Sequence, residues 1–226
     1  MVPIIIMAGG RGIRLHPLTE DRPKPLFNVG GKPILEQIID GFTAQGFRSF
    51  YLSVNYRADL IEHYFGDGRS RDISIKYIRE RKPMGTAGAL SLLPALPDGP
   101  VIVCNGDVLA RLDYRELLRT HNEAKAQATV CLALHQHQIP YGVATFDDAK
   151  KFTGLREKPI ENVLVNAGIY VLDAILLKTL DKAYCDMPEL IGKCDRLAYF
   201  PLENAWHDCG SFVDLARANN DWPSTL

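Results

Sequence analysis

No run of apolar residues in this 226-residue chain is long enough to cross a bilayer as a helix. The first residues also lack the basic start and long apolar stretch of a leader, so the expectation is a cytoplasmic protein with no membrane partner. An excess of positive charge is missing too: 26 Lys and Arg stand against 27 Asp and Glu, a formal net charge of −1. Binding to a phosphate backbone normally shows a strongly basic balance, which argues against nucleic acid as the partner. Cysteine is sparse. The five (Cys104, Cys131, Cys185, Cys194 and Cys209) are odd in number and form no C-x-x-C pair, which excludes the usual zinc spacing and a disulfide framework. Cys104 and Cys131 lie inside apolar runs, the ordinary place of a reduced core thiol. The histidines show no metal spacing either; His135 and His137 at most share one face of a strand. Internal repeats and low-complexity tracts are absent.

What the chain does have is apolar content, 46% of residues, enough for one sizeable core with a small lobe. In the first half, short apolar runs alternate with amphipathic segments, the pattern of βαβ units and a mainly parallel sheet. Strands are expected at Val2–Met7, Ser49–Val54, Ile73–Tyr77 and Val101–Cys104, with helices at Pro33–Gln45, Ala58–Phe65 and Thr86–Leu93. Pro33 is a favoured helix start and Gly46 a favoured stop. A helix over Leu112–Ala126 and a strand over Thr129–His135 follow. Beyond Pro140 the strand candidates crowd together (Val143–Phe146, Phe152–Glu157, Ala167–Val171), which suggests an antiparallel extension forming a lid. Helices are expected at Ala174–Leu180, Pro188–Lys193 and Phe212–Asn219, and a frayed end from Trp222 onward.

The most informative stretch runs from Ile4 to Leu26. A buried-strand run leads into Ala8-Gly9-Gly10-Arg11-Gly12, then Arg14, then Lys24 between two prolines. Glycines after such a strand let backbone N–H groups turn inward, a concavity suited to phosphate oxygens, and Arg11, Arg14 and Lys24 are the cations a polyphosphate needs nearby. Two familiar phosphate loops are excluded. Gly30-Gly31-Lys32 is followed by Pro33 rather than Ser or Thr, and the third glycine of the dinucleotide fingerprint is Leu15. Asn105-Gly106-Asp107 follows an apolar run, which puts Asp107 just past a strand's carboxyl end, where open α/β sheets place ligands; a turn or cap is its ordinary alternative.

Gly9-Gly10-Arg11-Gly12-Ile13-Arg14-Leu15 with Arg22-Pro23-Lys24-Pro25-Leu26 resembles the signature of the sugar-phosphate nucleotidylyltransferases. The likeness continues in Gly31-Lys32-Pro33-Ile34-Leu35, Gly85-Thr86-Ala87-Gly88-Ala89, Asn105-Gly106-Asp107, Glu157-Lys158-Pro159, Asn166-Ala167-Gly168 and His207-Asp208-Cys209-Gly210. These enzymes join a nucleoside triphosphate to a sugar 1-phosphate and release pyrophosphate. The chain most resembles bacterial enzymes forming GDP-hexoses, of the glucosamine-1-phosphate or mannose-1-phosphate guanylyltransferase type. That type often carries preceding nucleotide-sensing domains, for which 226 residues leave no room.

The resemblance implies an α/β fold: a Rossmann-like mixed, mainly parallel sheet flanked by helices, with a small β-rich lid over the active site. It implies one domain over 1–226, with about 1–135 for the nucleotide and about 136–226 for the sugar and second metal ligand. Arg14, Lys24, Asp107 and Asp208 would be catalytic, the two aspartates holding Mg²⁺, with Mn²⁺ as a substitute. Ala8, Gly9, Gly10, Arg11, Gly12, Gly85, Thr86 and Ala87 would bind the nucleotide, with Thr86 capping its helix. Tyr141, Gly142, Glu157, Lys158, Asn166 and Gly168 would form the sugar-phosphate pocket. The Gly-Thr-Ala-Gly turn replaces the Gln- and Pro-containing turn of thymidylyltransferases, which points to GTP. Uridylyl-, thymidylyl- or cytidylyl transfer, or a catalytically silent sensor, are the alternatives; the assembly would be a monomer or homodimer. Two positions depart from the family: Cys209, where Ile or Thr follows the second aspartate, and Ile13, where Thr or Glu is common.

Overall fold

The computed structural model describes residues 2–222. Three consecutive isoleucines open it in strand β1 (Ile4–Met7), all fully buried. A strand with no exposed face must be covered on both sides, and alternation decides which residue goes where. Ile4 and Ile6 enter one apolar core and Ile5 the other. A two-residue hairpin follows, β2 (Asn28–Val29) and β3 (Lys32–Pro33), then helix α1 (Ile34–Ala44). Helix α1 buries Ile34, Leu35, Ile38, Ile39 and Phe42, one face at helical spacing. Strand β4 (Ser49–Val54), helix α2 (Ala58–Phe65) and strand β5 (Ser74–Arg79) complete the first parallel units.

Helix α3 is a single turn (Gly85–Gly88), continued as a 3-10 turn over Ala89–Leu92. The sequence suggested one regular helix over Thr86–Leu93. Glycines at both ends of the first turn and close packing against a remote segment, described below, prevent it. Strands β6 (Val101–Asn105) and β7 (Val108–Ala110) are followed by helix α4 (Tyr114–Glu123). Asp113 caps α4 by accepting from the Arg115 and Glu116 amides, a contact worth about 1 kcal/mol. Tyr114 stacks on Phe42 of α1 with ring centroids 3.8 Å apart.

The second half holds the long strands β8 (Ala128–Gln138) and β11 (Ile160–Leu172), with the small pair β9 (Val143–Phe146) and β10 (Phe152–Arg156) between them. Short helices α5 (Ala174–Leu177) and α6 (Met187–Ile191), strands β12 (Leu197–Leu202) and β13 (Trp206–Asp208), and helix α7 (Phe212–Asp221) end the chain. The seven-stranded sheet has the order β12-β8-β11-β6-β1-β4-β5. Strands β6, β1, β4 and β5 run parallel; β11 is antiparallel to both β6 and β8. The expected mixed, mainly parallel sheet with small antiparallel additions is present. Trp222, expected in a frayed end, is half-buried against His207 and Arg111; residues 223–226 of that expectation lie outside the described ones. No helix among the described residues is long and apolar enough to cross a membrane.

Candidate active site

Strands β1 and β6 are neighbours, and both end in a glycine-bearing turn at the same edge of the sheet. Between these turns opens a cleft of about 580 Å³, lined by Met7 to Arg14, Lys24, Asn105, Gly106 and Asp107. This is the carboxyl edge of a parallel sheet, where the fold leaves a crevice. Sheet hydrogen bonding stops at the Ala8 amide, which donates to Ser53 O at 2.8 Å. Backbone bonding begins again in a 3-10 turn over Ile13–Leu15, where the Leu15 amide donates to Gly12 O at 2.9 Å. In between, the amides of Gly9, Gly10, Arg11 and Gly12 donate to no described residue. The Thr19 hydroxyl holds Gly12 O from behind at 3.4 Å, and Thr19 itself is buried. The loop is thus pinned while its donors remain available.

Lys24 would be a solvated lysine if its Pro-flanked segment were an ordinary surface loop. It is buried instead, 6% exposed, inside a 3-10 turn over Lys24–Leu26. Its ammonium bonds the Asp107 carboxylate and stands 3.9 Å from Asp208 Oδ1. Pairing of β13 with β7 brings the two aspartates together across about a hundred residues of chain, with Asp208 opposite Val108. The Cys209 amide then donates to Asp107 O at 2.9 Å. Arg14 reaches the same group. A Cβ at Gly210 would stand 2.6 Å from Arg14 Nη2 and 2.9 Å from Asp208 Oδ1, so a larger residue there would displace both side-chain ends. Burial and then the neighbouring Asp107 push the Asp208 carboxyl up, against the opposing pull of Lys24 and Arg14. Cys209 is fully buried, and desolvation pushes its thiol up to about 12, consistent with a structural thiol. Among the described residues no three His, Cys, Asp or Glu side chains cluster as a metal cage. Asp107 and Asp208 are the carboxylates that meet here among the described residues, a pair that fits Mg²⁺, which takes one or two carboxylates and fills the rest with phosphate and water.

The other end of the cleft is lined by Asn55, Glu80, Pro83, Met84, Gly85, Thr86, Tyr184 and Asp186. Gly85 has φ +78°, and a Cβ there would lie 2.5 Å from Cys185 O, so both conformation and space require glycine. The segment after α5 presses on this turn. Asp186 Oδ1 accepts from the Thr86 amide at 3.0 Å, and Cys185 O accepts from the Ala87 and Gly88 amides, each at 3.0 Å. Thr86 does not cap its own helix, whose cap position is Met84. Its hydroxyl accepts instead from the Met187 amide at 2.7 Å, at the start of α6, because the left-handed Gly85 turns it toward that segment. The Thr86, Ala87 and Gly88 amides are therefore occupied at this end of the cleft, whereas the Gly85 amide, like those of Gly9 to Gly12, donates to no described residue. Glu80, at the end of β5, is held by the Ser53 hydroxyl at 2.8 Å and the Met84 amide at 3.2 Å. Asn55, Glu80, Tyr184 and Asp186 join the site without having been expected from the sequence. Glu80 and Asn55 each follow a parallel strand, a position that could have singled them out; nothing local marks Tyr184 or Asp186.

The expected sugar-phosphate residues form two groups. The Lys158 amide donates to Tyr141 O at 3.2 Å, and the Ile139 amide to Pro159 O at 3.0 Å, so the Tyr-Gly and Glu-Lys-Pro segments lie side by side. Tyr141, Gly142, Glu157 and Lys158 are all exposed, and none of them lines the cleft. Asn166 and Gly168 lie nearer to it. The Asn166 side chain accepts from the Gly168 amide at 3.0 Å, and a side chain at Gly168 would run into the Asn105 amide group in the cleft wall.

Comparison with known proteins supplies the family. Residues 4–225 match the family model described as Nucleotidyl transferase. The mannose-1-phosphate guanyltransferase of Yarrowia lipolytica is 33% identical over 98% of this chain, and the mannose-1-phosphate guanylyltransferase of Mycobacterium tuberculosis 28% over 97%. The bifunctional protein GlmU of Methanococcus maripaludis is 32% identical over 96% of the chain. The chain spans 64% of the length of the first two relatives and 53% of the third. Among solved structures, a putative glucose-1-phosphate thymidylyltransferase from Bacillus anthracis, in complex with a sucrose, superposes with a TM-score of 0.78. It is 24% identical, covering 97% of this chain and 94% of its own. HddC from Yersinia pseudotuberculosis complexed with GMP-PN gives 0.76 at 24% identity, covering 98% and 100%. These two share the fold, and the matched residues state the rest: the chain belongs to the nucleotidyl transferase family.

Proposed function

We propose that this chain transfers GMP from GTP to a sugar 1-phosphate, releasing pyrophosphate. One observation carries the reading: a buried lysine bonded to one aspartate and close to a second, at the mouth of a glycine loop whose amides donate to no described residue. Free amides with Arg11, Arg14 and Lys24 suit a triphosphate, whose bridging charge they neutralise as pyrophosphate leaves. The acceptor needs no protein nucleophile, since a phosphate monoester is already ionised near neutral pH. The chain's task is to align its oxygen with the α-phosphorus and the leaving group. Asp107 and Asp208 would hold Mg²⁺, which supplies charge stabilisation to the phosphates when bound.

In this reading about 1–135 serve the nucleotide and about 136–226 the sugar, with Asp208 returning to the nucleotide side through the β13–β7 pairing. Relatives named as mannose-1-phosphate guanylyltransferases support both the reaction class and the base. Glu80 adds a physical reason for guanine. Its carboxylate lines the cleft with acceptor capacity beyond its two present donors, and guanine offers an N1–H and a 2-amino group where uracil offers one N–H. GTP should accordingly be used at least about tenfold more efficiently than dTTP or UTP, a difference of only about 1.4 kcal/mol. Pyrophosphate release measured with four triphosphates against several sugar 1-phosphates tests reaction and base together. Another winning base would overturn the guanine assignment alone, and no release with any pair would overturn the reaction.

Lys158 serves the acceptor in this reading. It is exposed on the segment beside Tyr141, away from the glycine loop. Lys158→Ala should raise KM for the sugar 1-phosphate and leave KM for the triphosphate near wild type. Equal loss for both substrates would place Lys158 elsewhere.

A further inference from the structure

We propose that Tyr184 supplies the face on which the nucleobase lies, and that Asp186 is the residue that positions it; the proposal rests on the reading of the cleft as a triphosphate site. The two ends of the cleft differ in what they offer. At Gly9–Gly12 the amides donate to no described residue, as a phosphate site requires. At Thr86–Gly88 they are taken by Asp186 Oδ1 and Cys185 O, so apart from the Gly85 amide this end presents side-chain surfaces. A planar base fits surfaces. Tyr184 is the aromatic side chain lining this end, and it is 62% exposed.

The ring is exposed and also fixed. Its hydroxyl donates to Asp186 Oδ2 at 2.8 Å, while Asp186 Oδ1 holds the Thr86 amide. The backbone on either side is tied to the turn: the Cys185 amide donates to Met84 O at 3.0 Å, and Met187 donates to the Thr86 hydroxyl. A large aromatic side chain held in water beside a cleft is preorganised, so little ordering entropy is lost when a base covers it. Every base has a π-face, so Tyr184 would contribute affinity for the base in general and leave the choice of base to polar groups such as Glu80.

Binding of GTP, UTP and inorganic tripolyphosphate, each with Mg²⁺, separates the two ends of the cleft. In Tyr184→Ala the dissociation constants of GTP and UTP should rise about tenfold, within the range for loss of one base–aromatic stack, while that of tripolyphosphate stays unchanged. Tyr184→Phe, which keeps the ring but loses its bond to Asp186, should weaken GTP binding by clearly less than Tyr184→Ala does. Asp186→Ala should raise KM for GTP at little change in kcat. Unchanged GTP affinity in Tyr184→Ala, or an equal loss for tripolyphosphate, overturns the stacking role. Wild-type kinetics in Asp186→Ala overturn the positioning role. A wild-type chain that binds no nucleoside triphosphate overturns the reading of the cleft, and this proposal with it.

Discussion

Asp107→Asn and Asp208→Asn are each expected to remove most of the turnover while leaving the fold intact. The aspartates stand at different strand ends but face one lysine, and no third acidic or imidazole ligand is clustered with them among the described residues. A site with two carboxylates has no spare one, so loss of either charge should cost on the order of several kcal/mol of transition-state stabilisation. Asn matches Asp in shape and its amide oxygen can still accept from Lys24, while main-chain contacts, Cys209 N–H to Asp107 O and the β13–β7 ladder, hold the two turns together. The melting temperature should therefore move little. The measurement is kcat for pyrophosphate release at saturating Mg²⁺ beside a thermal melt. Near-wild-type turnover in either folded variant would show that the carboxylates are structural partners of Lys24.

Much of the frame was legible because the parallel strands are apolar on both faces. Ile4-Ile5-Ile6 and Val101-Ile102-Val103-Cys104 have no solvent side to confuse the pattern, and both formed where expected. The second half read less well. Strand β12 is an apolar run, Leu197–Leu202, that carried no strand expectation; Pro201 lies within it, and it exposes Leu197 and Tyr199, as an edge strand does without loss of pairing. Strand β11 was expected only over Ala167–Val171; its first half leaves Leu164 exposed and alternates too weakly to mark a strand. β13 is three residues long and owes its existence to pairing with β7. That non-local pairing is what completes the site.

The site divides in the same way. Residues on a strand end or in a glycine turn, such as Asp107 and Gly9 to Gly12, carry local signals. Tyr184 and Asp186 carry none, because their position depends on contacts with Gly85 and Thr86 about a hundred residues earlier in the chain. Lys24 is intermediate. Its flanking prolines suggested a loop, but burial, which sequence does not report, distinguishes a fixed cation from a solvated one.

Lys24→Met is expected to lower turnover by about tenfold to a hundredfold, the equivalent of losing about 1.5–3 kcal/mol of charge-assisted contact to phosphate. Met is a sharper probe than Ala here. The stem of Lys24 is buried and an unbranched apolar chain can keep filling its place, so the variant isolates the ammonium. Removing the charge leaves Asp107 and Asp208 facing each other without their shared cation. Their side chains are 31% and 40% exposed, so water screens the repulsion and the fold should lose little. Activity should consequently fall much further than stability. Kinetics at saturating substrates and metal, run beside a thermal melt, separate the two effects. A folded Lys24→Met enzyme with unchanged kcat would show that the lysine only neutralises the aspartates. A large drop in kcat at a nearly unchanged melting temperature would place its charge on the reacting phosphates.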